Sequence, residues 1–141
     1  MNNKIININK RGFSADFSWL PDIEKIFSSS FKKDFKKSRS ISIALVGAEE
    51  IKQLNQVYRR KNKITDVLSF NMDSDQILGE VIICLEQAKA QAKVKQKTLK
   101  SELQLLTIHG ILHLLGYDHE RGEKYAAQQE LAQEKILNLL N

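Results

Sequence analysis

The sequence predicts an α+β fold, a single domain with a roughly four-stranded mixed sheet packed by about five helices around one buried central helix. Two observations predict this class. Runs with strand character lie in the first part of the chain, and two long segments with helical character close it, an order that favours α+β over a doubly wound sheet. The 141 residues suit one domain spanning 1–141, which can bury a core without disulfides.

Composition narrows the class further. Hydrophobic residues at 42% and charged residues at 28% are typical of a globular protein, and no apolar stretch approaches the roughly 20 residues of a membrane span. The start, MNNKIININK, has no apolar signal core, so we expect a cytoplasmic protein. Cys84 is the only cysteine, which excludes an intrachain disulfide and fits a reducing compartment.

The first strand and helix follow from their periodicity. Lys4–Ile8 alternates apolar and polar residues and is predicted to be a strand. A helix is predicted to begin near Leu20-Pro21, with proline in its first turn. Its basic end, KKDFKKSR at residues 32–39, should be a solvated face. The predicted core positions of this helix share helical spacing and are Leu20, Ile23, Ile26, Phe27, Phe31 and Phe35.

The middle of the chain predicts a strand, a helix and a hairpin. Ile41–Val46 is an apolar run that Gly47 stops, and a helix with Glu49 and Glu50 in its first turn follows. The inward stripe of that helix is predicted to be Ile51, Leu54 and Tyr58. Two strands, Val67–Asn71 and Ile77–Leu85, should pair as a hairpin across the loop Met72–Gln76.

Helices are predicted for the rest of the chain. Gln87–Lys97 is rich in good helix formers with a thin apolar stripe, so a surface helix is expected. The segment from Leu103 is apolar nearly all round and should be the buried central helix. From Glu120 onward a last helix is predicted, with an apolar stripe formed by Tyr125, Ala132, Ile136 and Leu139.

All three histidines of the chain fall in the central segment. His109 and His113 are four residues apart, so on a helix both imidazoles project from one face. Gly116 can end the helix in a left-handed conformation, and His119 follows on the returning chain. Three imidazoles with a fourth position left to water indicate a catalytic site for one Zn²⁺ or a similar divalent transition metal. The alternative is three structural histidines with hydrogen-bonded rings.

The spacing His-x-x-x-His-x-x-Gly-x-x-His is the ligand skeleton of metzincin proteases, so the predicted fold is zincin-like. In those enzymes the residue after the first histidine is a glutamate that acts as general base, and here it is Gly110. The ligand pattern is present while the usual proteolytic base is missing. Asp118 could orient an imidazole, act as a substitute ligand, or be a turn residue.

Three segments carry a resemblance to a known family. They are HGILHLLGYDH, Leu54-Asn55-x-x-Tyr58-Arg59 and Thr65-Asp66-Val67-Leu68-Ser69-Phe70. In chain order these three segments resemble the YbeY family of bacterial endoribonucleases, or rRNA maturation factors, over the chain from about Ile41 to the last helix. Ile64 and Asn71 stand where members commonly have proline, and Glu80 stands where many have Asp.

The resemblance implies a metal-dependent, single-strand-specific endoribonuclease that matures the 3′ end of small-subunit (16S) ribosomal RNA and takes part in ribosome quality control. It implies zinc held by His109, His113 and His119, and an arginine for activity at Arg59 and not at Arg60. The expected partners are single-stranded RNA, small-subunit ribosomal RNA and proteins, and an assembly GTPase. Neither a membrane nor DNA is expected.

For phosphodiester hydrolysis, the predicted zinc would activate water or polarise the phosphate, and Arg59 would stabilise the charge of the phosphorane. By position alone Arg59 could be a solvated charge at a helix end. The basic run Arg59–Lys63 is the best candidate for RNA backbone contacts, with Asn55, Thr65 and Asp66 as possible neighbours of the site. Two alternatives remain: a zinc-dependent peptidase or amidohydrolase, and a non-catalytic ribosome-assembly factor.

Overall fold

Four strands and five α-helices form the part of the chain that the computed structural model describes, which is residues 5–32, 39–72 and 74–141. This arrangement confirms the predicted α+β class, with a four-stranded mixed sheet. In chain order the elements are β1 (Ile6–Asn9), α1 (Leu20–Ser30), β2 (Ser40–Val46), α2 (Ala48–Arg59), β3 (Val67–Asn71), β4 (Ile77–Cys84), α3 (Leu85–Lys95), α4 (Leu99–Leu114) and α5 (Glu123–Leu140).

The sheet has the strand order β1-β2-β4-β3. β1, β2 and β4 run parallel, while β3 runs antiparallel to β4. The register pairs Val67 with Ile83 and Asn71 with Gly79, so the two strands form the predicted hairpin. β3 is therefore an edge strand of the described sheet, and one of its sides is not covered by another described strand.

Alternating side chains divide the core between the two faces of the sheet. On one face Ile43 of β2 and Val81 of β4 join the main core, which also contains residues of α1, α4 and α5. On the other face a smaller cluster lies beneath α2 and comprises Val46, Ile51, Leu68, Ile82 and Cys84. Burial raises the pKa of the Cys84 thiol, so this cysteine stays protonated as a small core residue.

α4 occupies the centre of the molecule, in contact with α3, α5, β3 and β4. Ten of its residues are buried, which confirms the predicted central helix. One of them is charged: Glu102 accepts hydrogen bonds from Lys95 Nζ at 2.9 Å and from Gln91 Nε2 at 2.7 Å. A buried carboxylate is tolerated when it is paired in this way. The buried and paired side chains of α4 therefore fix the position of this helix in the core.

Some expectations from periodicity were wrong. Tyr58 is 64% exposed and Leu139 is 59% exposed, although both continue an inward stripe. α3 begins at Leu85, two residues before the predicted start, because β4 leads directly into it. The predictions for Lys4 and Phe35 fall outside the described residues. In the described ranges, none of the helices combines the length and apolar character needed to cross a bilayer.

Candidate active site

The central helix carries the first two histidines into a cleft. α4 begins after Thr98, whose side chain accepts a hydrogen bond from the Ser101 backbone N–H at 3.0 Å, a cap that satisfies a free amide at the helix start. Near the other end of α4, His109 and His113 are both half-buried, and both line a cavity of about 400 Å³. Their spacing places the two rings on one face of the helix, as the sequence predicts.

Gly110 lies on the face of α4 that presses against the sheet. A Cβ at this position would lie 2.5 Å from Val81 Cγ1 in β4 and 3.2 Å from Ser69 Oγ in β3. The Ser69 hydroxyl also donates to the Gly110 carbonyl at 3.1 Å. Any side chain here would push the helix away from the sheet. The close packing of α4 on β4 therefore leaves no room here for the glutamate of the metzincin pattern.

A tight turn returns the chain from the end of α4 towards the cleft. Gly116 has a φ of +104°, which glycine adopts without the steric cost of a Cβ. Its backbone N–H donates to the His113 carbonyl, and the N–H of Tyr117 donates to the Leu112 carbonyl, both at 3.1 Å. The short 3₁₀ turn His119–Arg121 follows. His119 thus reaches the same cavity as the two helical histidines.

Asp118 is the residue whose role the sequence leaves open. Its Oδ1 accepts a hydrogen bond from the Glu120 backbone N–H at 3.0 Å, which caps the 3₁₀ turn. The same oxygen is 3.9 Å from His113 Nε2, too long for a hydrogen bond. The structure therefore supports the interpretation of Asp118 as a turn residue.

Two glutamines of α5 hold two of the three imidazoles. Gln129 is 1% exposed, and its Oε1 accepts from the His119 backbone N–H at 3.1 Å and faces His119 Nδ1 at 3.2 Å. Its Nε2 donates to the His109 carbonyl at 3.2 Å. Gln133 Oε1 faces His109 Nδ1 at 2.5 Å. Hydrogen bonds from side chains of α5 therefore join the end of α4 to the turn that carries His119.

These contacts favour one tautomer of each ring. Gln133 Oε1 faces Nδ1 of His109 and Gln129 Oε1 faces Nδ1 of His119, and because an amide oxygen only accepts, a proton on each Nδ1 leaves each Nε2 with its lone pair. At His109 the amide nitrogen of Gln129, 3.3 Å from Nδ1, competes with that arrangement. Burial lowers the pKa of His109 below its ordinary value of 6.5, although the hydrogen bond with Gln133 acts in the opposite direction. The His109 ring is consequently neutral at pH 7. A neutral ring whose Nδ1–H is held by an oxygen is the form that binds a metal through Nε2.

The donor chemistry fits a borderline divalent ion such as Zn²⁺. The rings of His109 and His119 have centroids 4.9 Å apart, near enough for one ion about 2.0–2.1 Å from a nitrogen of each. His113 adds a buried Nδ1 with no hydrogen-bond partner among the described residues. Across those same residues, however, no three His, Cys, Asp or Glu side chains are placed to hold a metal ion. The three-histidine ligand set stays a prediction.

Arg59, the last residue of α2, lines the same cavity as the three histidines. Its Nη2 donates to Oε1 of Glu120, which also lines the cavity. Burial acts to raise the pKa of the Glu120 carboxyl, but the hydrogen bond and charge of Arg59, together with the charges of Lys61 and His119, outweigh it, and this pKa lies below its ordinary value of 4.5. At neutral pH the cleft therefore contains an ion pair between Arg59 and Glu120.

A second cavity of about 300 Å³ shares Arg59, His109 and His119 with the first and is lined also by Lys61 and Lys63. It includes the three predicted neighbours of the site, Asn55, Thr65 and Asp66. The buried Asn55 fixes this loop, since its Nδ2 donates to the Lys63 carbonyl at 3.0 Å. Arg60 lines neither cavity and takes the left-handed position after α2, with a φ of +57°.

Gln129, Gln133 and Glu120 are the site residues that the sequence reasoning missed. Apolar spacing alone predicts only the apolar members of the α5 stripe, although Gln129 and Gln133 share the face of Ile136 at helical spacing. Two glutamines on the buried face of an amphipathic helix are a usable signal, because buried amides need partners.

The fold and the cleft define a class of small α+β domain in which a central helix and the turn after it bring three histidines beside an arginine. Comparison with known proteins gives that class a family. The family model described as endoribonuclease YbeY matches residues 4–141. The chain belongs to the YbeY family, which confirms the resemblance of the three segments.

Relatives share the sequence over almost its full length. The endoribonuclease YbeY of Sulfurihydrogenibium sp. (strain YO3AOP1) is 43% identical over 146 residues, which cover 98% of this chain and 93% of that protein. That of Thermodesulfovibrio yellowstonii is 38% identical over 152 residues, covering 97% and 96%. The solution structure of TM1509 from Thermotoga maritima matches with a TM-score of 0.66 and 30% identity, covering 96% of this chain and 88% of the other.

Proposed function

We propose that the chain is a metal-dependent endoribonuclease that cuts single-stranded RNA. The observation that carries this proposal is that Arg59 and all three histidines line one cleft. Imidazole donors beside a guanidinium suit a reaction at a phosphodiester, because both kinds of group act on negatively charged oxygens. The name shared by the relatives, endoribonuclease, supports RNA as the substrate.

His109, His113 and His119 would hold the ion, with Zn²⁺ the best match to the donor set. The chemistry that such an ion supplies when bound is Lewis acidity towards a phosphoryl oxygen. The glutamines of α5 face Nδ1 of His109 and His119, which leaves Nε2 of each ring available to the ion. Their role is therefore to orient the rings and fix their tautomers.

Arg59 is the proposed catalytic residue. Its planar guanidinium can pair with two phosphate oxygens and stabilise the charge that develops during cleavage. In the structure it pairs with Glu120, so a phosphate must compete with that carboxylate. The lowered pKa of Glu120 makes it a weak base, and its role in the proposal is to hold Arg59 until substrate arrives.

The proposed biological role is maturation of the 3′ end of small-subunit ribosomal RNA and ribosome quality control in the cytoplasm, alongside small-subunit proteins and an assembly GTPase. A formal net charge of +5 supports a polyanionic partner. Lys61 and Lys63, which line the second cavity, are the proposed contacts to the RNA backbone.

The proposal is tested with zinc-loaded protein offered single-stranded RNA, duplex RNA and a generic peptide. We expect cleavage of single-stranded RNA alone. His113→Ala should lose both zinc and cleavage, whereas Arg59→Ala should keep zinc and lose cleavage by on the order of 100-fold. Arg60→Asn is the matched control, since it removes a neighbouring arginine and asparagine tolerates the left-handed backbone there.

Each contrary result has a distinct meaning. Cleavage of the peptide would favour the hypothesis of a zinc-dependent peptidase or amidohydrolase. RNA binding without cleavage would favour a non-catalytic assembly factor. Undiminished RNA cleavage by His113→Ala would show that the histidines are not required and that the activity comes from another site or a contaminant.

A further inference from the structure

An aromatic pair stands in the same cleft as the histidines and has no role in the chemistry above. The rings of Tyr58 and Phe70 have centroids 4.9 Å apart and are tilted by 54°. Both residues line the cavity of about 400 Å³ that contains Arg59 and the three histidines. Tyr58 comes from the last turn of α2, and Phe70 comes from the edge strand β3.

The two rings differ in how they are supported. Phe70 is half-buried and packs against the small core beneath α2. Tyr58 contacts Phe70 but keeps 64% of its surface exposed. Packing against Phe70 therefore leaves much of Tyr58 free to contact another molecule. An exposed ring held in place by a fixed neighbour is a surface on which another flat group can stack.

The charges around the pair indicate what that flat group is. Arg59 follows Tyr58 directly and lines both cavities, and Lys61 and Lys63 line the second. A ligand that meets these groups has a negatively charged backbone and flat apolar faces. Unpaired nucleotides have both features, since their phosphates pair with Arg and Lys while their bases stack on aromatic side chains. In a duplex the bases already stack on one another and are not available.

We propose that Tyr58 and Phe70 form a base-stacking subsite, in which Tyr58 binds one unpaired nucleobase next to the phosphate that Arg59 contacts. The proposal rests on the proposed function and adds to it the group that selects single strands. Tyr58 acts by positioning the substrate, and it takes no part in bond breaking.

The first test separates the ring from the hydroxyl. Zinc-loaded wild-type protein, Tyr58→Leu, Tyr58→Phe and Tyr58→Trp are compared on one single-stranded RNA that is cut at a single position. We expect Tyr58→Leu to lower kcat/KM roughly tenfold or more, mainly through KM, and the two aromatic variants to stay within about twofold of wild type. Tyr125→Leu is the control for loss of a tyrosine ring, because Tyr125 lines neither cavity of the cleft and its ring contacts Arg121.

The second test locates the base. The same RNA is prepared with an abasic nucleotide at successive positions near the cut. At the position that stacks on Tyr58, removal of the base should slow wild-type cleavage, and Tyr58→Leu should cause no further loss there. Additive losses at every position, or unchanged KM in Tyr58→Leu, would overturn the proposal, as would a loss in Tyr58→Phe as large as that in Tyr58→Leu.

A binding measurement keeps this proposal distinct from the proposed function. RNA carrying the fluorescent base 2-aminopurine at the mapped position, or at each position in turn if wild type cuts nothing, is titrated with each protein. Stacking on Tyr58 quenches the fluorescence, and Tyr58→Leu should abolish the quench while thermal unfolding remains near wild type. A quench without cleavage would refute the nuclease proposal alone. Cleavage without any Tyr58-dependent quench would refute the stacking subsite alone.

Discussion

Gln129 contacts both of the segments that carry His109 and His119, which are α4 and the turn after it. It is almost fully buried, and it contacts the carbonyl of His109 and both the backbone N–H and Nδ1 of His119. Without it the backbone N–H and Nδ1 of His119 lose their protein partner, and the His109 carbonyl, which lies within α4, keeps only its helical hydrogen bond. The relation between the two rings is therefore set by a residue that is itself neither a predicted ligand nor a catalytic group.

Replacing Gln129 by Leu should expose this dependence. We expect the free energy of unfolding to fall by about 1–3 kcal/mol, because the histidine groups lose their partner, and zinc affinity to fall roughly 10- to 100-fold. Urea denaturation of chelator-treated protein and a zinc competition titration measure the two effects. Gln128→Leu, at the exposed neighbouring position, should change neither. Wild-type zinc affinity in Gln129→Leu would contradict the orienting role.

The Arg59–Glu120 pair should show a defined pH dependence. Because the pKa of Glu120 in the folded protein lies below the ordinary value of 4.5, the unfolded chain takes up the proton first as pH falls. The stabilisation by Glu120 is therefore fully present above a pH of about 4.5, and it is lost as the pH falls through the lower pKa of Glu120 in the folded protein.

Comparison of wild type with Glu120→Gln tests this dependence. The two side chains are partly exposed, so the difference in unfolding free energy should be only about 0.2–1 kcal/mol at neutral pH, and it should vanish in strong acid. A difference that does not change with pH would show that the charge of Glu120 is not its cause.

At the scale of elements, the close approach of α4 to the hairpin shapes the site. Gly79 in β4 and Gly110 in α4 both lack room for a Cβ. At Gly79 it would lie 2.5 Å from the Phe70 carbonyl oxygen and 2.5 Å from Leu114 Cδ2. Asn71 ties the same elements together, since its Nδ2 donates to the Leu114 carbonyl at 2.9 Å. At a place where many family members are expected to have proline, this chain therefore has a hydrogen bond from β3 to the end of α4.

The two glycines should differ in their tolerance of alanine. Gly79→Ala meets a backbone oxygen that cannot move alone, so we expect a loss of at least about 1–3 kcal/mol. Gly110→Ala meets Val81 methyl groups, and the gain in helix propensity of about 1 kcal/mol offsets part of its cost. Thermal unfolding followed by circular dichroism should rank wild type above Gly110→Ala and Gly110→Ala above Gly79→Ala. The reverse order of the two variants would contradict this account of the packing.

Helical and strand periodicity was enough to predict the elements, the hairpin and the buried central helix. The prediction that Tyr58 faces inward was wrong. Helical spacing gives the direction of a side chain around the helix axis, but it does not show how far the core extends beneath the helix. Tyr58, in the last turn of α2, lies beside the edge strand β3, and its ring contacts that of Phe70. The positions of the histidines were predictable from local spacing, whereas their glutamine partners come from α5 and depend on tertiary packing.

At the scale of the whole molecule, the positive charges predict how RNA binding depends on salt. For a single strand, the slope of log affinity against log salt concentration is about −0.7 for each phosphate neutralised. Lys61→Gln and Lys63→Gln should each reduce that slope by up to about 0.7. Lys89→Gln and Lys93→Gln on α3 line neither cavity and should leave it unchanged. Equal effects from both pairs would indicate that RNA binding follows net charge and not the cleft.

The position of the two glutamines in α5 has a consequence for any chain that stops short of them. A chain that ends at Gly122 contains every predicted ligand and Arg59, yet it lacks the partners of both ring nitrogens. In such a chain the rings of His109 and His119 lack the side chains that face their Nδ1 atoms. The cleft therefore depends on the chain through Gln133, and a protein that ends at Gly122 should bind zinc more weakly than the full-length chain.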